Sequence, residues 1–418
     1  MLLYFYYSLE KYIFINYNEW GVKVNRKEFP MLENDIFYFD NAATTFKPKK
    51  VIDKTVEYYT KYTSNAHRGD YFISYKTNEM LEETRENTRK FIGASKKEEI
   101  IFTSGATESL NMITNGFFRY KLKKDDEVII SKSEHASNVL PWLKLKKENK
   151  IKVKYIPLNE KNEIDIKELE KMITIKTKVI SLAHITNVIG DIREVKRIVK
   201  LAKKSGIYTV VDAAQSIGHI KTDVLDMDCD FLVFSAHKMY GPTGVGVLYG
   251  KEKLLNQFIP VNMGGGMNES FNDDAVIFKP LPYKLEAGTI NIAGIIAFNE
   301  AIKFIEKLDL DVINNYEVKL KEYLVEKLKE IEYIKVYNPE SKSSIVILNA
   351  KGVFASDLAM YLNSKNICVR AGNHCVKMLK EQTNFSNTVR ISLALYNTKE
   401  EIDYLINVLK DKESLYNY

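Results

Sequence analysis

The strongest constraint on this chain is an alternation. Apolar runs of strand length follow one another through its middle, each ending in polar residues and separated by segments with helical spacing. EEIIFTSG (98 to 105), DEVIISKSEH (126 to 135), KVISLAH (178 to 184), YTVVDAAQ (208 to 215) and DFLVFSAHK (230 to 238) read as strands. Runs this uniformly apolar are buried on both faces, which predicts a mostly parallel sheet with helices above and below, an α/β fold. DIREVKRIVKLAKKSG reads as a crossover helix, with Asp191 at the N-cap, Ile192, Val195, Val199 and Ala202 on one face, and Gly206 closing it.

The last third differs. A long amphipathic helix (about 317 to 331) leads to strand-like IKVYN and SSIVILNA, then a helix, then ICVRAG and TVRISLAL. A closing helix begins at a capping box, Thr398 with Glu401. The expected organisation is an N-terminal segment (1–35), a large domain (36–300) and a smaller α+β domain (301–418).

Composition narrows the class. The 418 residues are 45% hydrophobic and 28% charged, which excludes a wholly disordered or fibrous chain. A net charge of +6 without a concentrated basic block argues against nucleic acid as a partner. No run of about 18 uncharged apolar residues occurs, so no membrane-spanning helix is expected. Cys229, Cys368 and Cys375 suit neither a disulfide framework nor a zinc site, so no metal is expected and a reducing, cytoplasmic setting is the default. The aromatic opening MLLYFYYSLEKYIFINY lacks the layout of a secretory signal. It reads as a segment docked on the folded domain, or as the remnant of a leader to a plastid-like organelle (apicoplast or chloroplast).

Ligands of an open parallel sheet bind outside the carboxyl ends of its strands. His135, Asn187, Asp212, His237 and Lys238 all fall there, and the turn Ser104-Gly105-Ala106-Thr107 opens a helix whose free N–H groups suit a phosphate. Each has a plainer reading alone: a strand-end lysine is usually solvated, and a strand-end aspartate usually caps. Together they match pyridoxal 5'-phosphate, whose aldehyde needs a lysine and whose pyridinium nitrogen needs a carboxylate.

DFLVFSAHKMYGPTGVGVLYG resembles the lysine site of the class V aminotransferase-like enzymes. FYFDNAATT, SNAHRGDYFIS, FTSGATESLN, SEHASNVLPW, TNVIG and VDAAQS follow the order found in cysteine desulfurases. VRAGNHC with RISLALYNT, and a segment resembling a hairpin insertion (GGGMNESFNDDAVIFKPLPYKLEAGT), are similar to the SufS-type (group II) subgroup. The likeness covers residue 24 to the C-terminus, and Asn373 stands where that subgroup often has the first histidine of His-His-Cys.

The resemblance implies an aspartate aminotransferase-like fold and a set of roles. Lys238 would hold pyridoxal phosphate and move the α-proton, Asp212 would pair with the ring nitrogen, and His135 would stack on the ring and assist proton transfer. Gln215 and Asn187 would lie near the phenolic oxygen, with Asn187 also near the substrate carboxylate. Ala106, Thr107, Ser235 and His237 would hold the phosphate, joined by Thr289 from the other subunit of a homodimer. Arg390 would bind the substrate carboxylate, with Arg370 nearby.

Cys375 would accept sulfur from L-cysteine as a persulfide, its thiolate favoured by Arg370; His374 would either tune the thiol or be a solvated loop histidine, and Cys229 and Cys368 would be structural thiols. The persulfide would pass to a SufE- or SufU-like acceptor for iron–sulfur cluster assembly. The alternatives are a selenocysteine lyase on the same scaffold, an aminotransferase that would not need Cys375, and a non-catalytic scaffold of a sulfur-transfer complex.

Overall fold

The protein was studied as a computed structural model, which describes residues 25–65 and 69–418. The whole of the aromatic N-terminal run, on which the docked-segment and leader readings rest, and the centre of SNAHRGDYFIS lie outside the described residues.

Fifteen strands occur among the described residues. They are β1 (Phe37–Tyr38), β2 (Ile100–Thr103), β3 (Glu127–Ser131), β4 (Lys152–Ile156), β5 (Thr177–Ala183), β6 (Tyr208–Asp212), β7 (Phe231–Ser235) and β8 (Gly246–Gly250), then β9 (Asn268–Phe271), β10 (Val276–Phe278), β11 (Ile334–Val336), β12 (Ile345–Ala350), β13 (Ile367–Cys368), β14 (Arg370–Gly372) and β15 (Thr388–Ser392). The main sheet has seven strands in the order β2-β8-β7-β6-β5-β3-β4. All pairings are parallel except those of β8, which runs against both neighbours.

Strands β3 and β7 are buried at every position, which is why they read as continuous apolar runs, and β8 is equally buried. Side chains still alternate between the two faces. Phe102, Val211, Leu232, Phe234 and Val247 pack with the helix Ile292–Leu308. Ile101, Val128, Ile130, Val210, Val233 and Leu248 pack with Phe117, Phe118 and Trp142 on the other face. The antiparallel β8 was not singled out from the sequence, because GVLYG lies inside a glycine-rich stretch with weak strand signals.

The crossover helix spans Val195–Lys204, and its buried face is Val195, Ile198, Val199 and Ala202. Asp191 is not its N-cap; Glu194 holds that place, and the Asp191 carboxylate instead accepts from Arg193 Nε at 3.3 Å. A buried arginine outbids a cap that solvent could replace.

A second, antiparallel sheet runs β11-β12-β15-β14. It is covered by the helices Leu310–Lys329, Ala355–Ser364 and Lys399–Lys410. The first of these begins seven residues earlier than the sequence suggested, capped by Asp309. The Thr398–Glu401 capping box is present. Strand β1 pairs with β13, and Asp40 bridges to Ser392, so the chain before the main sheet adds to this smaller unit. Strands β9 and β10 form a hairpin with Phe271, Val276 and Ile277 exposed.

Candidate active site

Four parallel strands deliver the site from their carboxyl ends. Past β3 the chain turns at His135, which caps a short 3-10 turn; past β5 it reaches Asn187; β6 ends in Asp212; and β7 runs into Lys238. The second sheet faces these ends with Arg370 on β14 directly opposite Arg390 on β15.

Asp212 is buried and accepts the Ala214 N–H at 2.9 Å. Burial raises its carboxyl to about 6, against the pull of that bond and of Lys238. The Lys238 amine moves the other way. Burial, with Arg390 and Arg370 nearby, outweighs Asp212 and brings it down to about 8. His135 is held neutral at about 4 by burial and by Lys238, Arg370 and Arg390. Its Nδ1 accepts the Ser137 N–H at 3.2 Å, which leaves the ring hydrogen on Nε2. Lys238, Asp212, His135, Arg370, Arg390 and Cys375 therefore lie within electrostatic reach of one another.

The opening turn lies against the end of β7. The Ala106 N–H donates to Ser235 Oγ at 2.8 Å, and Thr107 Oγ1 lies 2.7 Å from Ser137 Oγ. Gly246 allows this approach, since a Cβ there would fall 2.3 Å from Gly105 Cα. Burial keeps His237 neutral, at about 4, and its carbonyl accepts from the Thr45 N–H at 3.0 Å. Gln215 Nε2 donates to Ala42 O at 2.8 Å.

Thr289 is the one predicted residue that no contact brings to this cluster. It is exposed, and its hydroxyl accepts from Asn65 Nδ2 at 3.3 Å.

Asn187 and Arg390 are already engaged. Asn187 Nδ2 donates to His374 O at 2.8 Å, and Arg390 Nη1 donates to Asn187 O at 3.0 Å. Arg390 Nη2 bonds Asp40 Oδ1 at 2.8 Å, while its buried Nε–H has no protein partner. Asp40 was missed as a site residue, although FYFDNAATT contains it. Ser137 was missed likewise, inside SEHASN.

The loop after β14 presents Cys375, which is exposed, with Arg370 Nη2 at 3.5 Å from its Sγ. His374 and Cys375 both adopt positive φ, 49° and 62°, a conformation that costs non-glycine residues about 1–2 kcal/mol each. Three bonds hold the loop there. The Ala136 N–H donates to Cys375 O at 2.9 Å, Asn187 to His374 O at 2.8 Å, and the Val376 N–H to Asn373 O at 2.8 Å.

His374 departs from expectation. It is buried, with Nε2 at 3.0 Å from Thr388 O and 3.1 Å from Thr388 Oγ1. Burial, then Arg390 and Arg370, bring it down to about 3, so it contributes no positive charge to Cys375. Cys229 is buried, which pushes its thiol up to about 12, and half-buried Cys368 is also raised.

Comparison with known proteins agrees with this arrangement. The family described as aminotransferase class-V matches residues 37–405. A probable cysteine desulfurase of Halalkalibacterium halodurans is 40% identical over 398 residues, covering 94% of this chain and 98% of that protein. One from Borreliella burgdorferi is 42% identical over 403 residues, covering 93% and 96%. The apo structure of cysteine desulfurase from Thermococcus onnurineus superposes with a TM-score of 0.89 at 36% identity, covering 94% of this chain and 98% of that one. The cysteine desulfurase CsdA from Escherichia coli gives 0.88 at 33%, with the same coverage. With a sheet, a lysine turn and a cysteine loop of this kind, the chain belongs to the class-V aminotransferase family, among its cysteine desulfurases.

Proposed function

We propose that this protein is a pyridoxal phosphate-dependent cysteine desulfurase of the SufS type, forming L-alanine and a persulfide on Cys375. The observation that carries the reading is Cys375 itself, exposed on a braced loop, with Arg370 at 3.5 Å and Lys238 within electrostatic reach.

The donor set fits the cofactor. Lys238 is an amine of lowered basicity, Asp212 a buried carboxyl, and Ala106, Thr107 and Ser235 gather at the helix-opening turn, with His237 two residues past Ser235. Pyridoxal phosphate, when bound, supplies a carbonyl to join the substrate amine and a ring to take up charge from the α-carbon.

The chain's own residues do the rest. At about 8, a sizeable share of Lys238 is neutral near physiological pH, so it can bond a carbonyl and move a proton at the substrate α-carbon. The unpartnered Nε–H of Arg390 is available to the substrate carboxylate. Cys375 Sγ attacks the substrate sulfur as the bond from that sulfur to carbon breaks. The carbon side leaves as alanine once protonated, and the sulfur stays on Cys375. Arg370 steadies the attacking sulfur anion.

Because the loop is held by three bonds, the persulfide suits collection by a docking protein, a SufE- or SufU-like acceptor serving iron–sulfur cluster assembly. Exposed Thr289 suits a residue that works across the boundary of a homodimer.

The test gives reconstituted protein L-cysteine and a reductant, and quantifies alanine and sulfide together. Equal amounts are expected, with both products falling at least a hundredfold in Cys375→Ala and Lys238→Ala, about 3 kcal/mol of lost transition-state stabilisation. Sulfide persisting in Cys375→Ala would overturn the persulfide.

A further inference from the structure

Beneath His135 and Asp212 lies an ion pair that no step above uses. Glu134 and Arg193 bond each other with side chains that are 0% exposed. Glu134 Oε2 also accepts from Asn138 Nδ2 at 2.8 Å and from the Ala183 N–H at 2.8 Å. Arg193 Nη2 donates to Ser133 Oγ at 2.7 Å, Nε to Asp191 Oδ2 at 3.3 Å, and Nη1 to Ala183 O at 3.3 Å.

These bonds tie together strand ends that form the site. Ser133 and Glu134 lead straight into His135, and Asn138 closes the turn that His135 caps. Ala183 pairs in register with Asp212, and the next N–H, that of His184, donates to Asp212 O at 2.8 Å. The pair also acts through its field: Glu134 pushes the Asp212 carboxyl up and Arg193 pulls it down.

Stability alone does not account for it. A buried ion pair is often no more stabilising than apolar side chains of the same size, because both charges must leave water. What apolar side chains would not supply is a fixed set of bonds at the ends of β3 and β5 and a paired charge beside Asp212.

We infer that Arg193 and Glu134 are positioning residues that fix the His135 turn and balance the charge around Asp212, and so set how the site holds pyridoxal phosphate. The inference rests on the function proposed above. The charged and titratable groups around the site are Asp212, Lys238, His135, His237, Arg370, Arg390, Asp40 and Cys375, with Asp191 against Arg193, and they are unaltered in every variant below.

The experiment titrates the absorbance of pyridoxal phosphate bound to purified protein and measures its Kd, alongside thermal melts. Glu134→Gln removes the closer of the two carboxylates that face the Arg193 charge, leaving only Asp191, so the absorbance midpoint should fall by roughly half a pH unit. Adding Arg193→Met removes that charge, and the midpoint should return to the wild-type value. A merely structural pair predicts that the double variant is worse than the single one. If Glu134→Gln does not fold, Arg193→Lys keeps the charge but shortens the fork. It should then weaken cofactor binding on the order of tenfold with the midpoint unmoved, the loss of about one charge-assisted hydrogen bond.

Bound cofactor with an unmoved midpoint in Glu134→Gln, a double variant that is not restored, or an unchanged Kd in Arg193→Lys would each overturn the inference alone. Wild-type protein that binds no pyridoxal phosphate would instead overturn the function on which it rests.

Discussion

His374 shows how far one side chain's surroundings decide its work. Next to a reactive cysteine, a histidine invites a role as proton carrier or positive neighbour. Here the ring is buried, bonded to Thr388 O, and uncharged above a value of about 3. Its contribution is to hold a loop whose two central residues have positive φ. His374→Asn tolerates that φ but loses the bond to Thr388, so turnover should fall about tenfold. The pH–rate profile should keep its shape, because no group titrating between pH 5 and 8 has been removed. An acid limb that disappears in this variant would show that His374 does titrate during turnover. Nothing in Asn-His-Cys distinguishes these roles, since both place a histidine beside the thiol.

At the scale of elements, the site depends on how closely β8 approaches the turn that opens the helix at Ala106. Gly246 faces Gly105 on β2's neighbouring turn with no room for a methyl group. Gly246→Ala must push the turn, and Thr107 with it, away from Ser235, separating the hydroxyls proposed to hold the phosphate. The expected result is a folded protein with cofactor affinity at least tenfold weaker, read from absorbance during dialysis; undiminished retention would show that the turn is not part of the cradle. The inner parallel strands were legible because burial on both faces leaves an unbroken apolar run, whereas the half-buried edge strand β4 was not singled out. The antiparallel β8 and the true start of the crossover helix were not. Glycine is demanded at Gly246 by a contact distant in sequence, and Asp191 is diverted from capping by a buried arginine.

For the whole molecule, the site's ionisation shapes stability against pH. His135, His184 and His237 are lowered to about 4 and His374 to about 3, each from 6.5. In the cofactor-free protein the unfolded chain therefore binds more protons below pH 6.5, and stability falls as pH drops towards 4. Asp212, raised from 3.8 to about 6, and Asp191, also raised, act in the opposite sense, because the folded state holds their protons longer. The net expectation at pH 5 is an uptake of about two to three protons on unfolding. Denaturant titrations from pH 7 to 5 measure it as a slope. A flat profile would mean that these histidines are charged in the folded state. Lys238 adds a separate signature: its penalty is fully present below pH 8 and is relieved as pH rises towards 10.5, so stability should recover there.

The amino-acid sequence by itself determined the α/β architecture, the crevice at the strand ends and the identity of most side chains in it. Hydrophobic period and strand-end chemistry are local properties, readable along the chain. It also carried the family, through motifs such as SAHKMYGPTG and VRAGNHC. Only the tertiary structure decided which groups are charged and what each one touches. The neutrality of His374, the capture of Asn187 by the cysteine loop, the Asp40 bond to Arg390 and the Arg193–Glu134 pair all join residues far apart in sequence. Their properties come from burial and from the fields of neighbours, which exist only once the chain has folded.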